Sequence, residues 1–166
     1  MDFSSAIGLV DTHTPQHIIF IRLILAALFG GMIGFEREMH REGAGLRTHI
    51  LIAMAACLFT LLTIELFETF GGSPNSRADP IRAVEAVTAG VAFLGAGAIF
   101  RRPHDVKGIT TGAGMWLAGA VGLATALGYY IVGFVTAIFA IIVLSVLQAL
   151  KTRIDSRAAP DQDEEH

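Results

Sequence analysis

GAGMWLAGAVGLATALGYYIVGFVTAIFAIIVLSVLQAL, residues 112–150, contains no Asp, Glu, Lys or Arg. An apolar run of about 18 or more residues is long enough to cross a hydrocarbon layer of roughly 30 Å. Drawn out as one helix, this stretch would reach about 58 Å, close to twice that thickness. It therefore has to fold back on itself. Gly128-Tyr129-Tyr130 is the natural place, combining a helix-weakening glycine with aromatic residues that favour a membrane interface. The result is two spans, the first of them short.

The rest of the chain reads the same way. Apolar residues make up 53% of it and charged residues 16%, well below the roughly 25% usual in soluble domains. Mean hydropathy is +0.59. Charges collect in short islands between long apolar runs. A first span is expected over residues 17–35, after Pro15, and a polar island over 36–47 follows it. A second span covers 48–70. Asp79 before Pro80 is a helix-start signal, a side-chain acceptor followed by a residue with no N–H to lose. It opens a third span over 80–100, followed by the island from Arg101 to Lys107.

The expected fold is thus an all-α, polytopic transmembrane bundle of about five spans. Residues 1–16 form an outer N-terminal segment, 17–150 the membrane domain and 151–166 an acidic, solvated tail. The N-terminal segment has no Lys or Arg, so it lacks the basic region of a cleavable signal. Orientation follows from Lys and Arg in the short loops. Arg37, Arg41, Arg47, Arg101, Arg102, Lys107, Lys151, Arg153 and Arg157 fall on one side, and Arg77 and Arg82 on the other. That asymmetry places the C-terminus in the cytoplasm and the N-terminus outside.

Ionisable groups inside spans are costly and tend to find partners. Arg22 and Glu85 lie roughly 10 Å and 8 Å from the outer ends of their spans, and Glu65 at a similar depth. A buried polar cluster of Arg22, Glu65 and Glu85, with Arg82 beside it, is the sharper expectation; snorkelling to the outer surface is the plainer one. Gly30-xxx-Gly34 is a close-approach motif, and Gly90, Gly95 and Gly97 add more smooth surface. Such glycines suit packing within one chain or between copies, so homo-oligomerisation stays open.

Signals for chemistry are poor. Cys57 is the only cysteine, which rules out an intrachain disulfide and a thiolate metal cluster. The six histidines have no metal-ligand spacing, and no nucleophilic triad or phosphate loop is present. Glu65, Glu68 and Asp79 carry hard oxygens, but a solvated helix end explains them as well. No enzymatic activity, cofactor or nucleic-acid partner is expected. The expected partners are the bilayer and another membrane protein.

The segments RLILAALFGGMIGFERE, GLRTHILIAMAACLFTLL, DPIRAVEAVTAGVAFLGAGAIF and VKGITTGAGMWLAGAVGLATALG, in that order, resemble the MgtC/SapB family of membrane proteins. The resemblance runs from about residue 22 to 150. It points to Arg22, Glu36, Arg37, Glu38, Gly45, Leu46, Arg47, Thr48, His49, Arg82, Gly95, Gly97, Gly108, Thr110, Thr111 and Trp116. It implies a bacterial inner-membrane location, an association with growth at low magnesium and with virulence, and regulators that bind other membrane proteins more than magnesium transporters. Two departures stand out. Many members have Gln where Ala86 stands here beside Glu85, and the long members continue into a soluble domain where this chain has an acidic tail.

Read from the residues themselves, Glu36, Arg37 and Glu38 close span one, while Arg47, Thr48 and His49 open span two. Thr110 and Thr111 suit an N-cap for span four. Together they form an expected cytoplasmic rim. A transporter or channel for Mg2+ or another small solute is the competing function.

Overall fold

The structure is a computed structural model, and it describes residues 12–70, 79–103 and 105–158. Five helices follow in order: α1 Gln16–Met39, α2 Leu46–Phe70, α3 Pro80–Gly97, α4 Ile109–Ala126 and α5 Tyr130–Ala158. Four of them, α1, α2, α4 and the Tyr130–Leu150 part of α5, are long and apolar enough to cross a membrane. The odd one is α3. Its 18 residues include Arg82 and Glu85, so its uncharged part, residues 86–97, reaches only about 18 Å. The chain is a polytopic membrane protein.

Successive helices run in alternating directions. Gly30 and Gly34 of α1 lie on Ala53, His49 and Leu46 of α2, which makes those helices antiparallel. Val91 and Gly95 of α3 meet Gly119 and Gly112 of α4, again antiparallel. Phe29 of α1 packs against Phe134 of α5 at 5.8 Å between tilted rings, and with Arg22 meeting Tyr130 and Glu36 meeting Ser145 these two helices run parallel. At the centre is α4, where Thr111, Gly114, Ala118, Gly122 and Thr125 are all buried. Its Gly122 is pressed against the Ala53 backbone, leaving no room for a Cβ. Without a hydrophobic force between helices in lipid, such backbone contact is what holds a bundle.

The outside is apolar, the reverse of a water-soluble protein. Phe93 is 79% exposed and Ile131 80%, and Phe20, Leu28, Phe59 and Phe139 also face outward. A continuous surface of this kind needs lipid as its solvent.

Helix ends follow local rules and correct several expectations. Asp79 does cap α3, accepting the Ile81 N–H at 2.9 Å, with Pro80 as the first helical residue. But α3 stops at Gly97, and the island after it is a β-hairpin, β1 Phe100–Arg102 with β2 Asp105–Lys107 in antiparallel register. The N-cap of α4 is Gly108, not Thr110 or Thr111, and its φ of 90° lets it sit against the Ala98 carbonyl where a Cβ would collide. The fold-back falls at Gly128, φ 86°, as expected. Its N–H reaches Thr125 O and that of Tyr129 reaches Ala124 O, a Schellman ending for α4. Finally, α5 runs on to Ala158, past Lys151 where the tail was expected to begin. The expected outer segment falls largely, and the loop with Arg77 and the acidic tail end wholly, outside the described residues.

Candidate functional site

The expected rim residues come together at one end of the bundle, but half of them point inward. Glu36 is 5% exposed, Arg37 3%, His49 0% and Thr111 2%. Glu38, Arg47 and Thr110 stay exposed, and Thr48 is half-buried. The inward set begins with the end of α1. Arg41 adopts φ 55°, rare for a residue other than glycine, and the Glu42 N–H returns to Arg37 O. That turn lays the Glu42 carboxylate 3.1 Å from Arg37 Nη2. Glu36 sits in the next position, its Oε2 4.0 Å from Arg37 Nη1 and its Oε1 3.1 Å from His40 Nδ1. Ser145 of α5 donates to that Oε1 at 3.4 Å.

The start of α2 is built to fit. Glu38 Oε2 accepts the Leu46 N–H at 3.0 Å, capping a helix that has no acidic residue in its first turn. A Cβ on Gly45 would occupy the place of that carboxylate. His49 turns its Nδ1 back to Gly45 O at 2.8 Å, so its Nε2 points at Gly114 of α4. A Cβ there would stand 3.2 Å from that nitrogen, so the imidazole would have to give by a few tenths of an ångström. The GFERE, GLRTH and GITTGAG segments are thus parts of one interlocked corner.

Apart from Arg37 Nη2, which has the Glu42 carboxylate beside it, three buried polar atoms in this corner have no hydrogen-bond partner among the described residues: Glu36 Oε2, Arg37 Nε and His49 Nε2. Each unmade bond of a buried group costs about 1–3 kcal/mol, so a folded protein tends to keep them where something else meets them. Arg37 also lines a cavity of about 930 Å3 between the hairpin, the start of α4 and the face of α5. Lys107, Thr110 and Thr111 line it too, with Glu42 and Asp105. Glu42, Ser145 and Asp105 are not among the residues singled out by sequence analysis. A lone serine in an uncharged span was the one available hint for Ser145.

At the opposite end the expected cluster of Arg22 with Glu65 and Glu85 does not form. Arg22 Nη1 donates to Ala126 O at 2.6 Å and its Nε to the Tyr130 hydroxyl at 3.2 Å. Ala126 is the last residue of α4, whose final carbonyls have no partner within the helix, so a cation there satisfies one directly. Glu65 accepts the N–H groups of His13 and Thr14, each at 2.8 Å, and ties the chain ahead of α1 to α2. Arg82 and Glu85 are exposed on α3. What the fold brings within hydrogen-bond distance of Arg22 is a helix-end carbonyl and a hydroxyl.

The packing glycines divide as well. Gly30, Gly34 and Gly95 are in tight contact, whereas Gly90 and Gly97 meet nothing within 4 Å. Trp116 is 49% exposed and lies over a cavity of about 240 Å3 shared with Val84, Val87 and Val91 of α3. No group of three metal-ligating side chains occurs among the described residues.

The MgtC family profile covers residues 23–153. A protein of Escherichia coli K12 named putative magnesium transporter YhiD is 40% identical over 134 residues, 81% of this chain and 62% of its own length. Protein SapB of Bacillus subtilis is 36% identical over 146 residues, 87% of this chain and 63% of that one. Protein MgtC of Brucella abortus is 34% identical over 133 residues, 80% and 52% respectively. The chain therefore spans between about half and two thirds of these relatives. No solved structure matches it. By the extent of these matches and the residues they cover, the chain belongs to the MgtC family.

Proposed function

We propose that this chain is a regulatory protein of the bacterial inner membrane that acts by binding another membrane protein, and that its bundle is not a magnesium path. One observation carries the reading: Gly90 and Gly97 of α3 face open space while the glycines of α1 and α4 are packed. Small residues on a membrane helix allow a second helix to approach closely. Beside them lies an apolar depression of about 550 Å3 between α2 and α3, lined by Phe59, Leu62, Leu66, Ala83 and Ala86 among others. Arg82 and Glu85, exposed on the same short helix, could pair with a partner's polar groups. The cytoplasmic rim, with Arg47 exposed, would add a second contact.

Magnesium needs an octahedral oxygen shell, usually with one or two carboxylates. Both oxygens of Glu65 are held by backbone N–H groups, and Glu85 lies on the outer surface. Between the two polar ends, Gly30, Ala53 and Gly122 close the bundle by direct contact. The transporter reading rests on the name of the Escherichia coli relative and on Glu36, a buried carboxylate with one oxygen unpartnered.

A photo-crosslinking residue at Gly90, compared with one at Ile142 on the exposed face of α5, tests the proposal in intact membranes. A discrete adduct with one other membrane protein is expected from position 90 and not from 142. Saturable Mg2+ uptake by the purified protein in liposomes, lost in Glu36→Gln, would overturn the proposal in favour of transport.

A further inference from the structure

The cavity of about 930 Å3 has the size of a small-molecule site and two unlike walls. One wall is the start of α4. Its N-cap, Gly108, has no side chain to offer, and no side-chain cap replaces it. The first N–H groups of a helix lack internal acceptors, and the end carries about half a positive charge, so it favours a phosphate. A helix end alone would mean little. Here Arg37 lines the same cavity, is 3% exposed, pairs its Nη2 with Glu42 at 3.1 Å, and keeps Nε without a hydrogen-bond partner among the described residues. Lys107 and Thr111 stand at the same wall.

The second wall is apolar. Phe139, Val143 and Leu147 of α5 line the cavity and are themselves 63%, 52% and 58% exposed, so it opens sideways onto the lipid-facing surface. From Thr136 to Leu147 that wall extends about 16 Å along the helix. The mouth also holds two carboxylates, Glu42 and Asp105. For a simple anion they are a handicap, because they offset Arg37 and Lys107. For a ligand carrying a cation next to its phosphate they are an asset.

We propose that this cavity binds one phospholipid with an amine in its headgroup. The phosphate sits on the α4 N-terminus with Arg37, Lys107 and Thr111. The amine faces Glu42 and Asp105, and an acyl chain lies along α5. The phosphate ester is the chemistry that a free phosphate shares, and the apolar wall and the acidic pair separate the two. The unpartnered Arg37 Nε is then the guanidinium nitrogen that the lipid satisfies.

Native mass spectrometry of the detergent-purified protein, offered equal amounts of phosphatidylethanolamine and phosphatidylglycerol, tests this. The wild type is expected to retain one phosphatidylethanolamine. Thr111→Val and Arg37→Gln each remove a bond to the phosphate and should lower retention about tenfold. Arg37→Gln removes a buried charge, so its helical content is checked by circular dichroism. Should it fail to fold, the two carboxylates at the mouth decide: Glu42→Gln with Asp105→Asn should reverse the preference to phosphatidylglycerol. Equal retention of the two lipids by the wild type, an unchanged preference in that double variant, or displacement of the lipid by millimolar inorganic phosphate would each overturn the proposal.

Discussion

Two groups of glycines look alike in the sequence and live in opposite surroundings. Gly30, Gly34 and Gly122 sit where α1, α2 and α4 touch backbone to backbone; a Cβ on Gly30 would come within 2.6 Å of Ala53 Cβ. Gly90 and Gly97 on α3 meet nothing. Small residues on an apolar helix therefore indicate where it can be approached, not what approaches it. In α1 and α4 the approach is made within the chain. In α3 the surface around these two is free, on the one described helix that falls short of a full apolar span.

The comparison breaks most sharply at Gly122. Gly122→Val forces two branched carbons into the Ala53 backbone, and overpacking of this kind costs typically 1–3 kcal/mol or more. The upper end, about 3 kcal/mol, is expected because the obstacle is main chain and cannot rotate away. The measurement is thermal or denaturant unfolding in detergent. Cys57, buried at 0% exposure, supplies a second readout. Its reaction with a maleimide should be slow in the wild type and fast in Gly122→Val, since access controls thiol reactivity. Equal labelling in both would show that the core is looser than its contacts imply.

Next in size comes Arg22→Ala, which removes the bonds to Ala126 O and Tyr130 from a half-buried group. A charge-assisted bond is worth about 1.5–3 kcal/mol, and partial exposure points to the lower end. Because no carboxylate is stranded, adding Glu85→Ala should restore nothing and the two effects should add. Recovery of stability in the double variant would revive the charge cluster at the outer end.

Glu65→Gln keeps one acceptor for the His13 and Thr14 N–H groups and loses the charge, so a loss of about 1 kcal/mol or less is expected. Proteolysis near the N-terminus, where the tether is weakened, should detect it before global unfolding does. Smallest of all is Gly90→Leu. With open space around the position, stability should stay within about 0.5 kcal/mol of wild type. The same change should abolish the adduct formed by a crosslinker placed at Gly97. A stable protein with undiminished crosslinking would remove α3 as the docking face.

How much of this was legible varies by region. The uncharged run over 112–150, the Asp79-Pro80 start and the turn at Gly128 are local signals, and each marks its element in the structure. The hairpin over 100–107 was not visible, because a few charged residues between two helices carry no periodicity of their own. The rim residues were found as a group, but their burial was not. Arg37 and His49 look like interface anchors in the sequence and prove to be inside, since their helices meet at Gly34, Gly45 and Gly114 more closely than ordinary side chains permit.

The sequence by itself determined that the chain resides in a membrane, how many apolar segments it has, and on which side its charges gather. These are properties of composition along the chain, and lipid as solvent enforces them one segment at a time. Only the tertiary structure decided who pairs with whom. Arg22 was free by depth to meet Glu85, yet it caps α4, because the partner of a buried charge is set by which helix ends come within about 3 Å. Likewise the cavity beside Arg37 belongs to no single segment. It exists because a hairpin, two helix ends and the side of a third helix are held a few ångströms apart by contacts far along the chain.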